Sequence, residues 1–235
     1  MTYDLRLKLF WVTFFSVAMG FLESSVVIYL RKIYYQHGFC FPLQPIDHSI
    51  AIVEIWREAA TIIMLLAVGV LAGKSRAERF AWFIYSFAIW DIFYYVFLWV
   101  FLGWPESFLT WDILFLIPVP WVGPVITPVI ISCIMILFAL TIAYHAERKE
   151  KVGMKKIESL LLIVGSLVTI VSFTEDYMKQ KGDILFRNIR NGGSLFVDMA
   201  SYVPVHFDWL LFSAGTGSML AAWILYARRM KRTPS

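Results

Sequence analysis

Five charged side chains lie well inside apolar runs long enough to cross a bilayer, away from the ends of those runs: Glu23, Glu54, Arg57, Glu58 and Asp91. A charged group at that depth is expensive, so each is a functional candidate by default. Carboxylates in such surroundings suit acid–base chemistry, because burial brings an acid into the range where it gives and takes protons near neutral pH. Gathered oxygens also suit a divalent metal such as Mg, Ca or Mn, and an added imidazole such as His206 shifts that preference toward Fe or Zn. Four acids against one arginine leave three negative charges uncompensated, more than a low-dielectric interior accepts. The surplus must be protonated, reach water or bind a cation. A proton-handling or metal-assisted site is therefore expected, and the identity of any metal stays open.

At 100° per residue, Glu54, Arg57, Glu58 and Thr61 share one helical face. Asp91 shares a face with Phe87, Tyr94, Tyr95 and Leu98. Glu23 shares one with Ser16, Gly20 and Val27, where small residues permit close helix approach. Three polar stripes facing one another would make a single buried site. In that reading at least three of Glu23, Glu54, Glu58 and Asp91 fall within one metal-coordination shell or around one water cluster. Arg57 orients the carboxylates or binds an anionic group, and Tyr94 and Tyr95 offer phenolic donors to a substrate. Asp112 and His206 are secondary candidates for substrate contact. Asp47, Asp112 and Asp208 each precede an apolar run, where capping a helix is the plainer role, and His206 also suits a solvated loop. A structural reading competes, since a buried Arg–Glu pair can simply hold helices together. No His pair sits at helical spacing within an apolar run, which argues against bis-His haem. No HExxH, Glu-x-x-His or Walker motif is present.

The elements that position these groups follow from composition. The chain is 60% hydrophobic and 16% charged, against about 45–50% and about 25% for soluble domains. Apolar runs at 9–30, 50–73, 80–103, 124–145, 157–173 and 209–227 each approach the roughly 20 residues a spanning helix needs. The fifth is short and invites extension past Phe173. The expected fold is all-α: a polytopic six-helix transmembrane bundle forming one domain over 1–235. The first run follows Arg6 and Lys8 but ends without a small-x-small cleavage site, so it reads as a retained helix. Cys40 and Cys133 form no CxxC motif and Cys133 lies inside an apolar run, so no disulfide framework or thiol redox motif is visible.

The net charge of +4 does not point to nucleic acid, because the basic residues cluster at the ends of apolar runs. Fourteen of them flank the runs on the side that holds both termini, and six lie on the other side. By the positive-inside rule both termini are cytoplasmic, in a multi-pass cell-membrane protein. All five intramembrane charges then fall between the midplane and the outer surface, with Glu23 and Glu54 about 10–12 Å from the outer helix ends.

Two outer connections are more than links. Residues 104–123 contain no basic residue and are too apolar for a solvated loop. Pro118, Pro120, Pro124 and Pro128 disfavour a regular helix, so a re-entrant or interfacial segment folded over the polar site is expected. Residues 174–208 are mixed, with an Asn191-Gly192-Gly193 turn and an interfacial helix beside it. The third run is aromatic at 12 of its 22 positions from 80 to 101. This suits either ordinary core packing or a cavity for an isoprenoid, quinone or acyl chain.

The leading functional reading is an enzyme or binding protein with a carboxylate-rich site in the outer half of the bilayer, acting on a lipid-like or isoprenoid molecule. A proton- or cation-coupled transporter and a non-catalytic subunit of a larger membrane complex are the alternatives. The bilayer is the partner the composition demands, and a membrane-protein partner or a second copy fits the third reading. Reporter fusions test the topology: those after residues 76, 150 and 235 are expected in the cytoplasm and those near 40, 108 and 190 outside. A cytoplasmic signal near 190 overturns the six-helix arrangement.

Overall fold

The computed structural model describes residues 3–35, 38–148, 152–190 and 201–232. Its helices are α1 (Tyr3–Tyr34), α2 (His48–Ala72), α3 (Arg76–Leu102), α4 (Ile126–Ala146), α5 (Lys156–Arg190) and α6 (Trp209–Arg232). All six are long and apolar enough to cross a bilayer. Large apolar side chains such as Phe10, Trp11, Phe14, Trp56, Leu71 and Leu210 point outward, as they do where lipid is the solvent.

Leu5 near the start of α1 and Met230 near the end of α6 share one apolar cluster with Trp82, Phe138 and Ile142. The two chain ends therefore lie at one end of the bundle, termed here the terminal end. An ion pair from Arg229 to Glu158 (2.7 Å) and a hydrogen bond from the Tyr226 hydroxyl to the Val152 carbonyl (2.8 Å) close that end. The tight reversal from α2 to α3 is built by Ser75, whose hydroxyl accepts from the Glu78 N–H while the Glu78 carboxylate accepts from the Ser75 N–H.

At the opposite end the segment between α3 and α4 forms a two-stranded antiparallel hairpin, β1 (Trp111–Phe115) and β2 (Trp121–Pro124). The expected re-entrant segment thus has regular structure, and among the described residues this hairpin is the one sheet in an otherwise helical fold. The prolines account for its shape. Pro118 and Pro120 occupy the loop, Pro124 ends β2, and Pro128 sits in the first turn of α4, where its missing N–H costs no helical bond. Pairing sets Asp112 opposite Gly123 and Ile113 opposite Val122.

The fifth helix is much longer than the apolar run 157–173. It continues unbroken to Arg190, so no separate interfacial helix precedes the expected 191–193 turn, and that turn lies outside the described residues. The extension is amphipathic. Its Tyr177 and Leu185 are buried with Val122 of the hairpin and with Tyr202, so the added turns cover one face of β2. A Cβ at Gly123 would come within 3.1 Å of the Phe173 ring and 3.2 Å of the Phe207 ring, which shows how closely that cover lies.

The helix α3 is the spine, packing along α1, α2 and α4, whereas α1 and α2 approach each other only sparsely. Glycines permit the close approaches. At Gly20 a Cβ would lie 3.0 Å from the Trp90 carbonyl, and at Gly69 it would lie 2.7 Å from the Arg79 carbonyl. At Gly217 nothing would be met within 4 Å. Gly69→Ala is therefore expected to destabilise the purified protein by about 1–3 kcal/mol through overpacking against backbone, with Gly217→Ala near neutral. Thermal unfolding in detergent distinguishes the two, and equal midpoints would remove the packing role assigned to Gly69.

Candidate functional site

Because α1 and α2 both lean on α3 but not on each other, a cleft remains between them at the hairpin end. It holds a cavity of about 430 Å³, within the range of small-molecule sites. Its sides are α1 (Glu23, Val27, Arg31) and α2 (Ala51, Glu54, Arg57, Glu58), and α3 contributes Trp90, Asp91, Tyr94 and Tyr95. Strand β1 and the residues after it, from Asp112 to Leu116, cover it. The segment 35–46 contributes Phe39, Leu43 and Ile46 to its rim.

The polar residues have defined partners. Arg57 donates through Nη2 to Glu54 Oε2 (2.6 Å) and through Nε to the same oxygen (3.0 Å), while its Nη1 donates to Glu23 Oε1 on the neighbouring helix. The Thr61 hydroxyl, one turn further along α2, donates to Glu23 Oε2 at 2.9 Å. These contacts bridge α1 to α2 where apolar packing between them is thin. Glu58 lies on the same face and bonds differently. The backbone N–H of Leu116 donates to both of its oxygens, at 2.9 and 3.1 Å, tying the hairpin tip to α2. Asp91 accepts from the Ser132 hydroxyl of α4 at 2.8 Å.

A second charge pair closes the hairpin end. Arg31 donates through Nη2 to Asp112 Oδ1 at 3.0 Å, and the Tyr95 hydroxyl donates to Asp112 Oδ2 at 3.2 Å. The guanidinium carbon lies 3.6 Å from the Trp104 ring centre and 4.3 Å from that of Phe39, which fixes its plane. Burial pushes the Asp112 carboxyl up to about 6, with Arg31 pulling the other way.

Of the residues singled out from sequence, Glu23, Glu54, Arg57, Glu58, Asp91, Tyr94, Tyr95 and Asp112 all border this cavity. His206 does not: it is exposed in the segment before α6. The expected N-caps form at Asp47, which accepts from the Ser49 N–H, and at Asp208, which accepts from the Leu211 N–H. Asp112 is no cap. It sits within β1 and pairs with Arg31. Convergence of three carboxylates on one metal does not occur among the described residues, where no three His, Cys, Asp or Glu side chains are grouped to hold an ion. The acids are dispersed because Arg57 engages two of them, the hairpin backbone a third and Ser132 a fourth.

Arg31 lies just past the apolar run 9–30, among the basic residues counted there as a topology signal, yet it is buried at the end of α1 and borders the cavity. Its spacing carried the signal, since Glu23, Val27 and Arg31 follow one another at four-residue steps along one stripe. With Asp112 included, five acids face two guanidiniums, and among the described residues Glu58 and Asp91 are the two without a salt bridge. Comparison of the chain with protein-family models, curated proteins and solved structures finds no match.

Replacing Arg57 with Met leaves Glu23 and Glu54 facing each other without a counter-charge, and is expected to destabilise the fold by about 3–5 kcal/mol. Restoring neutrality with Glu23→Gln and Glu54→Gln in the same chain is expected to recover most of that loss. Unfolding of the single and triple variants in detergent measures it. A single variant as stable as the wild type removes the bridging role of Arg57.

Proposed function

We propose that this chain is a membrane enzyme that binds an amphiphile of the lipid or isoprenoid class and moves protons at its polar end through Glu58 and Asp91. The observation that carries the reading is the composition of one cavity wall. Two carboxylates without a cation stand among Val27, Leu30, Leu43, Tyr94 and Phe115, so an apolar chain and an acid–base pair meet in one space. Carboxyl groups in apolar surroundings that hold them near their neutral form are suited to proton transfer at physiological pH. The cleft between α1 and α2 gives such a molecule a sideways entry from the bilayer, consistent with a substrate that never leaves it. Glu23, Glu54 and Arg57 hold the two helices at the required separation.

The same reading places the hairpin end at the outer face of the cell membrane and both termini in the cytoplasm. The asymmetry of fourteen basic residues against six supports that orientation. Transport has less support, because the terminal end is filled by Val12, Trp82, Phe138, Ile142 and Tyr226 rather than by polar groups leading onward from the cavity.

Mass spectrometry of the molecules that co-purify in mild detergent tests the proposal. An amphiphile enriched above the bulk membrane extract is expected on the wild type. The Glu58→Gln/Asp91→Asn double variant, whose side chains are nearly isosteric, is expected to hold the same class with a changed ratio of unreacted to reacted form. No enrichment on either protein overturns the binding, and identical bound pools on both overturn the chemistry.

A further inference from the structure

Two buried donors without an acceptor among the described residues border the cavity. Nη1 of Arg31 and Nε1 of Trp90 have no hydrogen-bond partner among the described residues, and both side chains are more than nine-tenths buried and border the cavity. An unmet buried N–H is costly, and a guanidinium N–H more so than a neutral one. The orphan cannot be relieved by a rotation of Arg31, because Asp112 holds Nη2 and two aromatic rings hold the plane. Arg31, Tyr35 and Phe39 also border a second cavity of about 410 Å³, shared with Lys32, Gly103 and Glu106 near the helix ends. Arg31 thus lies where the apolar cavity meets a smaller polar one.

We infer that Arg31 is a ligand-binding residue whose Nη1 donates to a neutral oxygen, a carbonyl or hydroxyl, on the head of a long-chain amphiphile. Charge selects the neutral head. An anionic head would enter a space bordered by five carboxylates and two guanidiniums, and a cationic ammonium has no lone pair with which to accept from Nη1. A neutral oxygen meets neither penalty and satisfies the orphan donor. Its chain would lie against Val27, Leu30 and Leu43, and the head would face Asp91 and Trp90. The ion pair to Asp112 then has a second consequence, because it neutralises the guanidinium enough to leave a donor rather than an anion site.

The inference rests on the amphiphile reading above, and a charge series separates the two. Monoolein, oleate and oleylamine carry the same length of chain with neutral, anionic and cationic heads. Their binding to the purified protein in detergent is compared by native mass spectrometry. Monoolein is expected to bind at least about tenfold more tightly than either of the others. Arg31→Gln/Asp112→Asn, which removes the ion pair without leaving a buried charge, is expected to lose about tenfold in monoolein affinity. Arg31→Lys, which keeps a charge for Asp112 but lacks the planar second nitrogen, is expected to lose affinity similarly. Preference for oleate or oleylamine, or unchanged monoolein affinity in both variants, overturns the role of Arg31 while the amphiphile reading stands. Failure of all three lipids to bind overturns that reading as well.

Discussion

A guanidinium within a bilayer-spanning helix has no water to turn to, so its counter-charges must come from the protein. Arg57 takes one from its own helix, Glu54, and one from the neighbouring helix, Glu23. This shared cation is what allows α1 and α2 to stand apart. Were they packed by apolar contact, as each is against α3, the cleft would close and the polar stripe would have no space to face. Because the link is polar and local, the helices are fixed at one depth and remain separated toward the hairpin. The cavity is therefore a consequence of how charge is satisfied.

Charge at the hairpin end is handled by the same rule with different partners. Asp112 enters the bundle on a strand and is met by Arg31 from α1 and by the Tyr95 hydroxyl from α3. Three elements are thereby pinned to one carboxylate, and Trp104 and Phe39 cover the guanidinium. Isolated ion pairs add little at a surface, but removing one partner of a buried pair is severe because the remaining charge is stranded. The two pairs therefore define register more than they add stability. Among the described residues Glu58 and Asp91 are held by neutral donors alone, which sets them apart from the acids paired with guanidiniums.

Much of this was legible in the sequence, for identifiable reasons. Runs of apolar residues interrupted by basic clusters leave few alternatives to six spanning helices, and the charges inside those runs mark the cavity wall almost residue by residue. The short fifth run was less informative, because hydropathy measures the lipid-facing requirement. The amphipathic turns from Glu175 onward pack on protein instead, burying Tyr177 and Leu185 against the hairpin and Tyr202. Arg31 escaped notice for a related reason. At the end of an apolar run a basic residue reads as a topology signal, and only its four-residue spacing from Val27 and Glu23 reveals that it turns inward. Nor could spacing show that the acids disperse. Faces can be computed for one helix at a time, whereas partners such as Ser132 and the Leu116 N–H belong to other elements.

The hairpin shows why the proline-rich segment is not a seventh helix. A helix uses its own backbone donors internally, so it has none to offer a carboxylate except at its first turn. A strand end followed by a loop holding two prolines leaves the N–H of Leu116 outside the strand pairing and directed at Glu58, which accepts it on both oxygens. Backbone of this kind is tolerated at membrane depth only where protein surrounds it. Here α5 and the segment after it supply that cover through Phe173, Tyr177 and Phe207. The long fifth helix, the proline positions and the acid on α2 are thus parts of one arrangement. It presents Glu58 to the cavity held by a neutral backbone donor rather than by a cation.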